Sequence, residues 1–129
     1  MQISDAEWAV MNVVWQQQPV EAAVVVSELS AIHGWTAATI KTMLHRLVKK
    51  TALRHEVNGK KYLYRSAVRK QDCVRRASRS FVDRVFGGEA GPALLHMVRT
   101  SKLSDDDLQQ LQELLDSKSQ TKPGKESGR

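Results

Sequence analysis

Residues 35–50, WTAATIKTMLHRLVKK, decide the fold, and NGKKYLY at 58–64 completes the reading. Ile40, Leu44, Leu47 and Val48 recur at the three- and four-residue spacing of one helix face. Thr39, Lys41, Thr42, His45, Arg46 and Lys49 fall on the opposite face. Thr36 has a hydroxyl able to accept a hydrogen bond from a first-turn amide, so a capped helix is predicted from there to about Lys50. Asn58-Gly59 is a strong hairpin signal, because both residue types tolerate positive φ. The segments flanking it, 53–57 and 61–65, read as two short strands, with Lys60 and Lys61 at or beside the tip.

Upstream, Ser4 and Glu7 have the spacing of a capping box, and Trp8, Met11 and Trp15 follow at helical spacing with Val10 and Val14. A helix is therefore expected over 5–16, ended by Pro19. A second helix is expected from Glu21 to Ile32. The triplet Val24-Val25-Val26 has poor helix propensity and its composition alone allows a short strand. The long run without Gly or Pro, and the spacing of Val25, Leu29 and Ile32, favour the helix. Gly34 then breaks the chain. Three helices followed by a hairpin, with the third helix basic on its outer face, is the order of a winged helix-turn-helix.

Downstream, a helix is predicted over 68–86, with Val74, Phe81 and Val85 on one face and five arginines around the others. Gly87-Gly88 ends it. Pro92 starts a short helix bearing Leu94, Leu95 and Val98, and Ser104 with Asp105, Asp106 and Asp107 suits the N-terminus of another. Leu108, Leu111, Leu114 and Leu115 form an apolar seam that is either core or dimer contact; too little chain is present to bury it within one copy, which favours a homodimer. Past Asp116 no apolar residue remains, so 117–129 reads as a disordered tail. The expected fold is mainly α with a small β-hairpin wing: a winged-helix domain at 1–67 and a helical dimerisation domain at 68–116.

Charge placement points to the partner. Residues 1–33 carry four acidic side chains and no Lys or Arg, whereas 34–65 carry eight basic side chains against Glu56 alone. Residues 66–84 add six basic against two acidic, and 85–116 then turn acidic, six against two. One basic block in the middle of a chain of net charge +6 suits a nucleic-acid partner. The major groove admits one helix, and only outward side chains reach base edges. Thr39, Thr42, His45 and Arg46 are of the types that read bases; Lys41, Lys49, Lys50, Lys60 and Lys61 suit phosphates. The plainer alternative is a solvated basic face, and His45 fits either role.

Several classes are set aside. No stretch approaches the length of an apolar membrane span, no signal peptide is visible, and the single Cys73 cannot form an internal disulfide, which suits a cytoplasmic setting. His33, His45, His55 and His96 lack metal-ligand spacing, and no nucleophile, base and orienter can be assembled, so neither metal, cofactor nor catalysis is expected. Trp8 and Trp15 read as packing residues, not a stacking platform. A non-specific basic nucleic-acid binder and a winged-helix protein-interaction module remain as rival readings.

ISDAEWAVMNVVW at 3–15, WTAATIKTMLHRLVKK at 35–50, NGKKYLY at 58–64, RRASRSFVDRVFGG at 75–88 and KLSDDDLQQLQELL at 102–115 together resemble the penicillinase-repressor family, the repressors of β-lactam and copper resistance genes. The resemblance implies a homodimer whose winged helices bind half-sites of a double-stranded palindromic operator, with the recognition helix at 36–50 and the wing at 54–65. It implies an interlocked dimer built from the helices after Val68. In the β-lactam branch it further implies a membrane sensor-protease pathway leading to cleavage at an Asn-Phe bond. His96-Met97 stands at that position here, without either residue. The paired Cys-x-Cys motifs of the copper branch have no counterpart after Cys73. Thr51 replaces the glycine usual after the recognition helix, which implies either strain in a left-handed C-cap or a changed geometry there.

Overall fold

The computed structural model describes residues 1–120 and comprises two compact units, Met1–Ala77 and the residues from Ser78 on. Helix α1 (Asp5–Gln17) is followed by a two-residue strand β1 (Val20–Glu21), then α2 (Ala22–His33) and α3 (Ala37–Lys49). Strands β2 (Leu53–Asn58) and β3 (Lys61–Ser66) form the hairpin, and α4 (Lys70–Phe86), α5 (Ala90–Thr100) and α6 (Asp105–Ser119) follow.

Local chemistry accounts for the element ends. Ser4 Oγ accepts from the Glu7 amide at 3.2 Å while Glu7 Oε1 accepts from the Ser4 amide at 2.9 Å, completing the capping box that starts α1. Ser104 and Asp107 repeat the device at α6. The Val24–Val26 triplet is helical, and α2 ends at Gly34 with φ 73, a left-handed cap that costs glycine little.

In the first unit, α1, α2 and α3 enclose a core in which Val10, Met11, Val14, Val25, Ile40, Leu44, Leu47 and Leu53 are fully buried. The sheet closes this core in the order β1-β3-β2, all antiparallel. β1 is absent from the sequence-based expectation. Its strand character comes from pairing Val20 with Tyr64 and Glu21 with Leu63, partners more than forty residues away.

Several sequence-based boundaries or placements change, among them the start of α5, which is Ala90 instead of Pro92. Asn58 pairs with Lys61, so the two loop residues are Gly59 and Lys60, not Asn58 and Gly59. Gly59 has φ 68 and Lys60 does not share that sign, the pattern of a turn with glycine in its first central position. Ile32, which shares the spacing of Val25 and Leu29, is 71% exposed, because it sits in the last turn of α2 beyond the core. Helix α4 begins at Lys70 instead of Val68, and Ser117–Ser119, assigned above to the tail, form the end of α6. The rest of that tail, 121–129, lies outside the described residues.

Candidate nucleic-acid interface

Helix α3 displays the two faces that its sequence implies. Ile40, Met43, Leu44 and Leu47 point into the core, and Val48 packs at its edge. Thr39, Lys41, Thr42, His45, Arg46 and Lys49 are exposed. Burial of the apolar face against α1 and α2 is what fixes the rotation of the helix, and so presents these six side chains together.

The threonines are already partly committed. Thr36 Oγ1 accepts from the Thr39 amide at 3.2 Å and donates to Thr39 Oγ1 at 3.0 Å. Thr36 is therefore chiefly the helix cap, while Thr39, as acceptor of that bond, keeps its own hydroxyl proton for an outside acceptor. Thr42 Oγ1 donates to the Ala38 carbonyl at 2.9 Å, which spends its hydroxyl proton on the helix itself. α3 contains no carboxylate, and among the described residues Lys41, Arg46 and Lys49 form no ion pair.

Lys50 departs from its expected role. Its Nζ lies 2.6 Å from Glu7 Oε1 and 2.8 Å from the Gln2 carbonyl, so it ties the end of α3 to the start of α1. Glu7 is buried to 3% exposure. Burial alone raises its pKa, but the Lys50 contact and the Ser4 amide outweigh that and hold the carboxyl below its ordinary value. A buried carboxylate needs that cation, so Lys50 serves the fold. Nothing in residues 35–50 alone signals this, since the partner lies 43 positions away.

The wing cations also differ from one another. Lys61 Nζ is 3.5 Å from Glu21, and Arg65 Nε is 3.5 Å from Glu56. Lys60 stands at the loop itself, exposed, with no ion pair among the described residues. On the other face of the hairpin His55 contacts Tyr62 and Tyr64, with ring centroids 4.8 and 6.0 Å away. Thr51, just past α3, has φ 65, the one non-glycine residue with positive φ among those described. That is the strain implied by a threonine in place of glycine.

The expected dimer residues divide into two groups. Val74, Val85, Leu94, Leu95, Val98, Leu108 and Leu115 are exposed, as are His96 and Met97 in the middle of α5. Phe81 and Leu111 are partly covered by their own chain, Phe81 with its ring 5.8 Å from that of Phe86. Burial pushes the Cys73 thiol up in pKa, with Arg76 offsetting it in part. Among the described residues no three His, Cys, Asp or Glu side chains gather as a metal site, and no helix is long and apolar enough to cross a membrane.

The penicillinase repressor family model matches residues 3–117. The chain belongs to the penicillinase repressor family. The penicillinase repressor of Bacillus licheniformis is 35% identical over 115 residues, covering 89% of this chain and 90% of the relative. The methicillin resistance regulatory protein MecI of Mammaliicoccus sciuri is 31% identical over 117 residues, covering 91% and 95%. Among solved structures, the DNA-binding domain of the repressor BlaI matches with a TM-score of 0.52 at 42% identity, over 55% of this chain and 87% of that one. The monomeric form of Bacillus licheniformis BlaI in complex with the blaP half-operator matches with a TM-score of 0.51 at 42% identity, over 56% and 88%. Membership in the penicillinase repressor family makes the chain a winged-helix, DNA-binding transcriptional repressor, a binding protein and not an enzyme.

Proposed function

We propose that the chain acts in the cytoplasm as a homodimer that occupies a palindromic operator and blocks transcription of resistance-type or stress-response genes. The winged-helix domain is 1–67 and the dimerisation domain 68–116. What supports DNA reading is the exposed outer face of α3, where Arg46, Thr39, Thr42 and His45 stand together and the helix carries no carboxylate to oppose them. Lys41, Lys49 and Lys60 take phosphates, with Lys61 contributing once it leaves Glu21. The exposed apolar residues of α4, α5 and α6 support the dimer, because a chain this small does not leave so many large hydrophobics in water without a partner. Two linked half-site contacts gain effective concentration, so separating the protomers releases the operator.

Selection from a random-sequence duplex library, followed by footprinting and gel-shift titration, tests this reading. A protected palindrome, and loss of operator preference in Arg46→Ala, are expected. Equal losses on operator and unrelated duplexes would reject Arg46 as a reader; absence of any preferred sequence would favour the non-specific binder. For release, a sensor-protease acting at His96-Met97 has to cut inside helix α5, at a bond with neither Asn nor Phe. Incubation with a cognate sensor's protease domain and mass spectrometry of the fragments decides whether that bond is cut.

A further inference from the structure

The stretch 66–69, the last residue of β3 and the short connector to α4, is held from three sides. The Ala67 amide donates to the Ala52 carbonyl at 2.9 Å. The Ser66 amide donates to Gln18 Oε1 at 2.7 Å. Trp15, near the end of α1, donates its single indole N–H to both Ser66 Oγ at 2.9 Å and the Val68 carbonyl at 3.2 Å. Ser66 Oγ also accepts from the Val68 amide at 3.1 Å and donates to the Val68 carbonyl. Lys70, the first residue of α4, places its Nζ 5.9 Å from the centre of the Trp15 ring, within cation–π range. The first two turns of α4, up to Ala77, belong to the same compact unit as the winged helix.

A segment between a DNA-reading unit and a dimerising helix is where a flexible hinge is ordinarily expected. Here Ser66 Oγ and the Val68 carbonyl both accept from Trp15 on α1, across sequence separations of 51 and 53 residues. Such long-range side-chain bonds do nothing for the strand or the helix they join. Their effect is to tie this stretch, and with it the first residue of α4, to α1 within the Met1–Ala77 unit.

We infer that Trp15 is a positioning residue whose indole N–H clamps this connector, and thereby sets the half-site spacing that the repressor accepts. The inference rests on the dimeric reading above. If the clamp holds, adding two base pairs between half-sites, a rotation of roughly 70° and a shift of ~7 Å, is penalised strongly. If the clamp is lost, α4 swings and the penalty shrinks.

The test uses the full chain and duplexes carrying the selected palindrome, the same palindrome with two base pairs inserted at its centre, and one half-site alone. Trp15→Phe keeps an aromatic ring but removes the N–H donor together with part of the ring surface; Ser66→Ala removes only the hydroxyl, from the other side. Both are expected to bind the single half-site within about twofold of wild type, while discrimination between the two palindromes falls by about tenfold. Circular dichroism melting identifies a variant that fails to fold, in which case the other decides. Wild-type discrimination retained in a folded variant overturns the inference and leaves the dimer standing. Indifference of the wild type itself to the insertion, with a monomer in sedimentation, overturns the dimeric reading and this inference with it.

Discussion

Lys49 and Lys50 are neighbours of identical chemistry with opposite duties. Lys49 is exposed on the outer face of α3, and Lys50 turns back to the buried Glu7. Lys50→Ala is therefore expected to destabilise the fold by about 1–3 kcal/mol, measured by urea denaturation, and Lys49→Ala to leave stability within about 0.5 kcal/mol while weakening DNA binding. The pair also sets an acid limit. The Glu7 carboxyl titrates in the folded state below its ordinary value of 4.5, so its contribution is whole above that value and is lost as pH falls through the lower, folded-state value. Stability profiles between about pH 6 and pH 3 should show a limb that Glu7→Gln flattens; parallel profiles would refute the linkage. At this scale the sequence was legible wherever a side chain answers to its own helix. The outer face of α3 is read from spacing alone. Lys50 is not, because its partner is on another element, and Ile32 is not, because spacing marks a direction and says nothing of where the core ends.

Between elements, the two turns that frame the wing invite opposite substitutions. Thr51 holds φ 65 against the steric preference of any residue with a branched Cβ. Thr51→Gly is expected to raise stability by about 0.5–1 kcal/mol, seen as a higher melting temperature, with half-site affinity unchanged. Gly59→Ala places a Cβ on a residue with φ 68 and should cost about 1 kcal/mol and loosen the wing, although no neighbouring atom lies within 4 Å of that Cβ. Hairpin, caps and helices were visible in the sequence because each is written in a few adjacent residues. β1 was not, since Val20 and Glu21 become a strand only through Tyr64 and Leu63. The turn itself shifted by one residue: Asn-Gly is favoured at a tip, yet the pairing of Asn58 with Lys61 gives the tip to Gly59 and Lys60. That shift moves Lys60 to the foremost position.

For the molecule as a whole, the large apolar side chains left in water lie mostly beyond residue 73. Leu94→Glu combined with Leu115→Glu is expected to yield a monomer in sedimentation, with palindrome affinity reduced about a hundredfold and half-site affinity kept. A dimer that survives both charges would place the interface elsewhere. The basic block and the apolar seams were visible as successive parts of the chain. The clamp at 66–69 was not, because Trp15 reads from its spacing as a packing residue and its N–H is spent on a partner 51 residues on. The same indole has a spectroscopic consequence. Trp8, Trp15 and Trp35 are the only tryptophans, and all lie in the Met1–Ala77 unit. Intrinsic fluorescence therefore reports melting of that unit alone, whereas ellipticity at 222 nm sums helices from both. Coincident transitions would show one cooperative molecule; an emission shift that lags the loss of ellipticity would show the C-terminal helices melting first while the DNA-reading unit stays folded.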